Sequence, residues 1–180
     1  MKATGIVRRI DDLGRVVIPK EIRRTMRIRE GDPLEIFTDR EGEVIFKKYS
    51  PVGELNTFAS QYAETLYKTS GLSVVICDRD AVIAVAGLPR KDYLEKKLSP
   101  EFEEIIEGRG AYRYLPGSTS VKITGDTQSA EVSCAMPIIA DSDLIGCVAS
   151  AVTKNEPLDD EVEAKLIGTA AAFLAKQIEM

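Results

Sequence analysis

The 180-residue sequence predicts an α+β protein built from two unlike parts. Residues 1–50 read as short strands around one short helix, and the rest reads as helix, two strands, helix, three strands and helix. The order of elements after residue 50 predicts an antiparallel sheet flanked by helices. The net charge changes from +3 in the first 50 residues to −8 in the remaining 130. We therefore expect two domains, 1–52 and 53–180, divided where Pro51 and Gly53 interrupt regular structure.

The composition is that of a globular protein, with 44% apolar and 29% charged residues. The longest nearly unbroken apolar run, Leu144 to Val152, is far shorter than the ~18 residues that cross a bilayer. The N-terminus lacks the apolar region of a secretory signal. Three scattered cysteines favour a reducing compartment over a disulfide framework. We expect a cytoplasmic protein that does not associate with membranes.

The sequence contains no histidine, which removes most familiar catalytic and metal centres. A Ser-His-Asp triad, a Cys-His pair and a His-ligated zinc or haem site are excluded. Cys77, Cys134 and Cys147 lack C-x-x-C spacing and fall in predicted strands, so each is expected to be a small core residue rather than a redox sensor. The sequence predicts no catalytic residue, no metal site and no cofactor, and it argues against an enzyme.

The N-terminal part predicts two hairpin-like pieces around a short helix. The elements are strand 6–10, turn 11–14, strand 15–18, helix 19–26, strand 33–37 and strand 44–49. Pro19 fits the first turn of the helix, and Gly42 can supply a positive φ in the loop between the last two strands. Fifty residues with so few large apolar side chains cannot bury enough surface alone, and an intertwined dimer would solve that problem.

The predicted helix separates apolar from basic residues. Ile18, Ile22 and Met26 recur every four residues. Basic residues occur at i, i+3, i+4 and i+7, and these are Lys20, Arg23, Arg24 and Arg27. Arg8 and Arg15 lie in the two preceding strands, and residues 1–29 carry a net charge of +6. A solvated basic face is one interpretation, but the regular stripe favours contact with the phosphates or bases of a polyanion.

The acidic part begins and ends with a helix. The predicted elements are helix 54–69, strands 73–77 and 81–86, helix 100–108, strands 121–124, 130–139 and 144–152, and helix 158–179. Gly71 supplies the stop of the first helix. Ser99 and Pro100 open the second as N-cap and first helical residue. An acidic turn at 159–161 suits the start of the last helix.

The last predicted helix carries more apolar residues than one narrow stripe: Val162, Leu166, Ile167, Ala170, Ala171, Phe173, Leu174 and Ile178. One face can pack on the sheet while another meets a partner helix; complete burial within its own domain is the alternative. Helices 54–69 and 158–179 are the first and last elements of the body and can lie side by side. We expect two bodies to pair there as a four-helix bundle. Together with a dimer through 1–52, this predicts a homotetramer.

Three stretches of the N-terminal part match a known family: residues 1–10 (MKATGIVRRI), 14–24 (GRVVIPKEIRR) and 31–36 (GDPLEI). They closely resemble the AbrB-like transition-state regulators of spore-forming bacteria. The resemblance implies a swapped-hairpin dimer whose strands interleave into a β-barrel-like core. It implies binding to double-stranded DNA through Arg8, Arg15, Arg23 and Arg24, to which we add Lys20 and Arg27. Relatives often carry Gly at the position of Arg27, where a left-handed residue other than Gly costs about 1–2 kcal/mol.

The acidic part resembles the GAF/PAS class of small-molecule sensor domains, which also includes pure oligomerisation units. The resemblance leaves the effector, if any, unidentified. As a whole it implies a transcription regulator, both activator and repressor, of late forespore-specific sporulation genes, located at the nucleoid of the forespore. Two alternatives remain. One is a swapped-hairpin antitoxin, and the other is a GAF-type methionine sulfoxide reductase, which would need two mutually close cysteines in a pocket.

Overall fold

The structure is a computed structural model that describes residues 4–152 and 160–179. The chain divides after Tyr49 into two compact units, called here the N-terminal unit and the body. Within the described ranges, no helix combines the length and the apolar character that a membrane span requires.

The regular elements described in the N-terminal unit are helix α1 (Lys20–Thr25), strand β1 (Leu34–Thr38) and strand β2 (Val44–Lys48). The two strands pair antiparallel, with Ile36 opposite Phe46. In the connecting loop the Asp39 carboxylate accepts the N–H groups of Glu41 and Glu43, each at 2.9 Å. Gly42 takes a φ of 85°. The predicted second hairpin and the role of its glycine are confirmed.

The strands predicted at 6–10 and 15–18 are wrong for the single chain, in which both segments are irregular. The turn between them does form. The N–H of Asp11 donates to the carbonyl of Arg15, and the N–H of Gly14 donates to the carbonyl of Asp11, each at 3.0 Å. A strand needs a neighbouring backbone along its length, and the described residues before Pro19 form no ladder beyond this turn.

The body contains helices on both sides of one sheet. Its elements are α2 (Pro51–Glu54), α3 (Asn56–Ser70), β3 (Val74–Asp78), β4 (Val82–Ala86), α4 (Arg90–Tyr93), α5 (Pro100–Glu107), β5 (Tyr112–Arg113), β6 (Val132–Ala140), β7 (Asp143–Ala151) and α6 (Asp160–Ile178). The sheet order is β4-β3-β7-β6-β5, and all neighbouring pairs are antiparallel. This confirms the predicted antiparallel sheet flanked by helices.

Each side of the sheet carries its own hydrophobic core. Alternate residues of a strand point to opposite sides, so Ile76 packs under α3 and α6 whereas its neighbours Val75 and Cys77 pack under α4 and α5. Leu66 of α3 joins the first core, and Phe102 of α5 joins the second.

Two local predictions in the body are confirmed. Gly71 follows α3 with a φ of 75°, and its N–H bonds to the carbonyl of Tyr67. Ser99 caps α5, since its Oγ accepts the N–H of Phe102 at 3.1 Å and Pro100 occupies the first turn. Both signals depend only on nearby residues, which explains why the sequence shows them.

Other local predictions fail. Pro51 begins the short helix α2 instead of interrupting structure, because proline fits a first helical turn. Residues 121–124 form isolated bridges, Lys122 to Glu131 and Leu98 to Thr124, since they bond to two different segments rather than along one strand. The short elements α4 and β5 were not predicted, because two to four residues show no periodicity. The predicted start of the last helix at 158–159 lies outside the described residues.

Candidate nucleic-acid interface

Helix α1 presents its cations to solvent. Lys20, Arg23 and Arg24 are exposed, while Ile18 and Ile22 are partly buried and Pro19 is buried. The apolar and basic faces predicted from the spacing are therefore separated, except that Met26 at the end of the apolar face is largely exposed. The helix thus holds three positive side chains on its solvent side.

The C-terminus of α1 ends in a left-handed residue, Arg27, with a φ of 53°. The N–H of Ile28 bonds to the carbonyl of Arg23 at 2.7 Å, and the N–H of Arg27 bonds to the carbonyl of Arg24 at 3.3 Å. These two bonds are the pattern of a Schellman motif, whose left-handed position favours glycine. The expected strain at Arg27 is present, and Arg27 is less exposed than the three cations of the helix.

A contact from β2 holds this helix end. The Nζ of Lys48 donates to the carbonyl of Arg27 at 3.0 Å and lies 3.5 Å from Oδ2 of Asp32. The same carboxylate oxygen accepts the N–H of Arg29 at 2.8 Å, and the Asp32 side chain is only 4% exposed. Lys48 and Asp32 therefore fix the helix end relative to the hairpin. Sequence reasoning did not identify Lys48 or Asp32 as contacts of the helix end. The Gly31-Asp32-Pro33 turn was the one feature of the sequence that could have pointed to Asp32.

Arg8 and Arg15 lie on either side of the turn at residues 11–14. Arg15 is exposed but paired, since its Nε lies 2.8 Å from Oδ2 of Asp11. The other Asp11 carboxylate oxygen accepts the N–H groups of Leu13 and Arg15. Hydrogen bonds from the Arg15 backbone and side chain hold the pKa of this carboxyl below its ordinary value. Arg8 is exposed and donates to the neighbouring Val7 carbonyl at 3.2 Å.

The predicted contact residues thus form two groups within the N-terminal unit. One group lies on α1 and its C-terminal end, and the other flanks the turn at residues 11–14. The same unit exposes many large apolar side chains: Ile6, Val7, Ile10, Leu13, Val16, Val17, Met26, Ile36, Val44 and Phe46. Exposing so many apolar side chains to water is unfavourable. This surface is therefore suited to burial against another chain.

The body brings two of its cysteines together. Cys77 of β3 and Cys147 of β7 are opposite each other in the antiparallel pair, and both are buried in the core under α4 and α5. Burial raises the pKa of both thiols well above the ordinary value, and it raises the pKa of Cys134 to about 11. The prediction that all three are core residues is confirmed. Among the described residues, no group of three or more cysteine or carboxylate side chains could hold a metal ion.

Helices α3 and α6 lie side by side, as their positions at the ends of the body suggested. The Phe173 ring of α6 lies 5.5 Å from the Tyr62 ring and 5.8 Å from the Phe58 ring of α3, measured between centroids. Phe173 and Val162 remain exposed on α6. The two helices therefore present a partly exposed aromatic cluster (Phe58, Tyr62 and Phe173).

Comparison with known proteins covers both units. Residues 54–179 match the family described as stage V sporulation protein T C-terminal, transcription factor. Stage V sporulation protein T of Bacillus subtilis is 53% identical over 179 residues, which cover 99% of each chain. The chain belongs to the stage V sporulation protein T family. As a member of that family it is a transcription factor.

The N-terminal unit of this family member has further relatives. Residues 7–53 match the family described as antidote-toxin recognition MazE, bacterial antitoxin. The transition state regulatory protein AbrB of Bacillus subtilis is 63% identical over 51 residues, which are 28% of this chain and 52% of AbrB. The AbrB-like assignment of the N-terminal module is thereby confirmed.

The body has the fold of GAF domains. The GAF domain of an Acinetobacter phosphoenolpyruvate-protein phosphotransferase covers 73% of this chain and 84% of its own, with a TM-score of 0.51 and 12% identity. At that identity the likeness shows the fold alone. The predicted GAF-like architecture of the second domain is confirmed.

Proposed function

We propose that this transcription factor binds double-stranded DNA through its N-terminal module and activates or represses late forespore-specific sporulation genes. One observation carries the proposal: the exposed cations of α1 lie in a module 63% identical to AbrB. Arg8, Arg15, Lys20, Arg23, Arg24 and Arg27 are the proposed contact residues. Exposed Arg and Lys side chains on one element bind phosphates without needing a deep site. The protein would act at the nucleoid of the forespore.

The exposed apolar side chains of the N-terminal unit support a dimer through the domain proposed at 1–52. The segment 4–18 is rich in β-branched apolar residues but forms no ladder in the single chain. In a swapped-hairpin arrangement the same segment of a second copy would supply the missing backbone partner. Those of Val7, Ile10, Val16 and Val17 that face inward would then be buried in the shared core, since adjacent strand residues point to opposite sides.

The aromatic cluster of α3 and α6 supports a second contact, between the bodies proposed at 53–180. Large apolar groups on neighbouring helices pack well against the same pair of a second copy. If the two contacts join different pairs of chains, the assembly closes as a homotetramer with two DNA-binding modules, which raises avidity for paired sites. A small-molecule effector of the GAF-like body would act by changing how these modules are held.

Neither the antitoxin nor the methionine sulfoxide reductase alternative has as much support as a DNA-binding transcription factor. The antitoxin family matches 47 residues, whereas the sporulation relative covers nearly the whole chain. Cys77 and Cys147 are close, as a methionine sulfoxide reductase requires, but both are fully buried and their raised pKa keeps them as thiols. A buried protonated thiol is a poor nucleophile. We therefore propose that the protein is not an enzyme and needs no cofactor.

Salt-dependent binding tests the DNA proposal. Affinity of the full chain for duplex DNA should fall steeply with salt, and Arg23→Ala and Arg24→Ala should each weaken binding and reduce the log–log salt slope by about two per dimer. Arg40→Ala, in the exposed β1–β2 loop, is the matched control and should leave the slope unchanged. Unchanged affinity for both helix variants would refute the assignment.

Light scattering tests the assembly. The full chain should be a tetramer at micromolar concentration, and Phe173→Glu should convert it to a dimer because a charge cannot be buried in the proposed contact. Leu115→Glu is the control, since Leu115 is an exposed apolar residue outside α3 and α6. A dimeric wild type, or a Phe173→Glu variant that remains tetrameric, would show that the second contact does not exist.

A further inference from the structure

The body distributes its positive charge unevenly. Four of its 12 basic residues lie in one eight-residue segment, the basic loop (residues 90–97), which also contains Asp92 and Glu95. Its cations are Arg90, Lys91, Lys96 and Lys97. The other 122 residues after Ser50 hold 8 basic and 18 acidic residues, a net charge of −10. A polyanion approaching the body is therefore repelled by most of it and attracted by the basic loop.

The four cations of the basic loop are accessible to an anionic ligand. All four are exposed, and within residues 4–152 and 160–179 none of them forms an ion pair. Other lysines of the body behave differently. Lys68, Lys165 and Lys176 pair with glutamates on their own helix or at its end. The loop thus holds positive charge that its own domain leaves unneutralised.

Hydrogen bonds hold the loop in a defined shape. The N–H of Glu95 donates to the carbonyl of Val82 at 2.8 Å, and the N–H of Val82 donates to the carbonyl of Lys96 at 3.0 Å. Glu95 sits at a φ of 61°, a strained conformation for this residue. The buried Tyr93 anchors the loop, since its hydroxyl accepts the N–H of Ala130 at 2.7 Å. A ligand therefore loses little affinity to ordering the loop backbone.

DNA held by the N-terminal module would place a polyanion within reach of the body. Only Tyr49 and Ser50 separate β2 from α2, so the body follows the DNA-binding module with almost no linker. Two residues span at most about 7 Å, and a domain of this size has a radius of gyration of about 14 Å. A body tethered so closely stays beside any DNA that the module binds, at a high effective concentration.

We propose that the basic loop is a second DNA contact, in which Arg90, Lys91, Lys96 and Lys97 bind phosphates beside the site held by the N-terminal module. The proposal rests on the DNA-binding function proposed above. The contact is independent of base sequence, because the loop offers charge rather than a groove-reading element.

Two triple variants of the full chain test this contact on a mixed-sequence duplex. Lys91→Gln/Lys96→Gln/Lys97→Gln removes three loop cations, and Lys68→Gln/Arg109→Gln/Arg113→Gln removes three other exposed cations with the same change in net charge. Each lost phosphate contact lowers the log–log salt slope by about 0.9, so the loop variant, which removes three contacts per chain, should lower it by about five per dimer. Its affinity near 0.15 M salt should fall at least tenfold, while the control stays within about twofold.

Lysine acetylation, read by mass spectrometry with and without the duplex, gives a local readout. Lys91, Lys96 and Lys97 should be protected by DNA, and Lys68 should not. Equal effects of the two triple variants would show a general charge effect and overturn the proposal. So would unchanged binding by the loop variant, or protection that is already complete without DNA and therefore comes from a protein contact. A wild type that binds no duplex would instead refute the proposed function itself.

Discussion

Ser150 of β7 donates a 2.5 Å hydrogen bond from its Oγ to Oε1 of Glu163, a buried carboxylate in the first turn of α6. Ser133 of β6 donates to the other carboxylate oxygen at 3.2 Å. The Ser150 hydroxyl in turn accepts the N–H of Cys134 at 3.1 Å. One charged side chain thus ties the start of the last helix to two strands of the sheet, and hydroxyl donors compensate its burial.

Replacing Glu163 should destabilise the body. Glu163→Leu leaves the buried Ser150 hydroxyl and the partly buried Ser133 hydroxyl without their carboxylate acceptor and should lower the free energy of unfolding by about 2–3 kcal/mol. Glu163→Gln keeps one acceptor and should cost about 1 kcal/mol. Urea unfolding of the full chain, followed by circular dichroism, measures both. Glu161→Gln, an exposed change on the same helix turn, should stay within about 0.5 kcal/mol; an equal loss there would contradict the buried network.

Gly146 and Gly168 should respond oppositely to alanine. A Cβ on Gly146 of β7 would lie 2.1 Å from the carbonyl oxygen of Cys77, a backbone atom that cannot move aside cheaply. Gly146→Ala should cost at least about 3 kcal/mol or prevent folding. A Cβ on Gly168 of α6 finds no atom closer than 3.9 Å, so Gly168→Ala should gain about 1 kcal/mol of helix stability. Melting temperatures that change in the same direction for the two variants would contradict the tight packing at Gly146 or the open space at Gly168.

Arg27→Gly should stabilise the N-terminal unit by about 1 kcal/mol, because glycine adopts the left-handed conformation at the end of α1 without strain. Arg27→Gln removes the charge but keeps the strain, so it should leave stability nearly unchanged. Comparing the two by thermal unfolding separates backbone strain from charge. A stabilisation by Arg27→Gln as large as that by Arg27→Gly would point to charge repulsion instead.

The three cysteines should resist alkylation in the folded protein. Because burial raises the pKa of Cys134 to about 11, roughly one thiol in a thousand is ionised at pH 8. Iodoacetamide should modify all 3 cysteines in urea and almost none in the native protein, as counted by mass spectrometry. Rapid native modification of Cys77 or Cys147 would revive the enzyme alternative.

The same thiol makes stability fall at high pH. A group whose pKa is higher in the folded state contributes stability that is fully present below its unfolded pKa. For Cys134 this contribution is lost as the pH rises from about 9 towards 11. Cys134→Ala should flatten the fall of the melting temperature across that range. An identical pH profile for the variant would show that the thiol does not contribute.

Much of the local structure could be read from the sequence because its causes lie within a few residues. Ser99 and Pro100 begin α5, as a capping hydroxyl and a proline in the first turn predict. Gly71 ends α3 and Gly42 lies in the β1–β2 turn, because glycine adopts a positive φ without strain. The basic stripe of α1 and the strain at Arg27 were also predictable, since helical spacing and the place of a missing glycine are local properties.

The sequence by itself determined two unlike α+β parts, a basic helix and an acidic body with helices at both ends. Only the tertiary structure decided that Cys77 faces Cys147, that Lys48 holds the end of α1 and that Glu163 lies buried between two serines. It also left segments 6–10 and 15–18 without strand pairing in the single chain. The physical reason is that caps and helical faces depend on near neighbours, whereas register, burial and strand pairing depend on which distant backbone lies alongside.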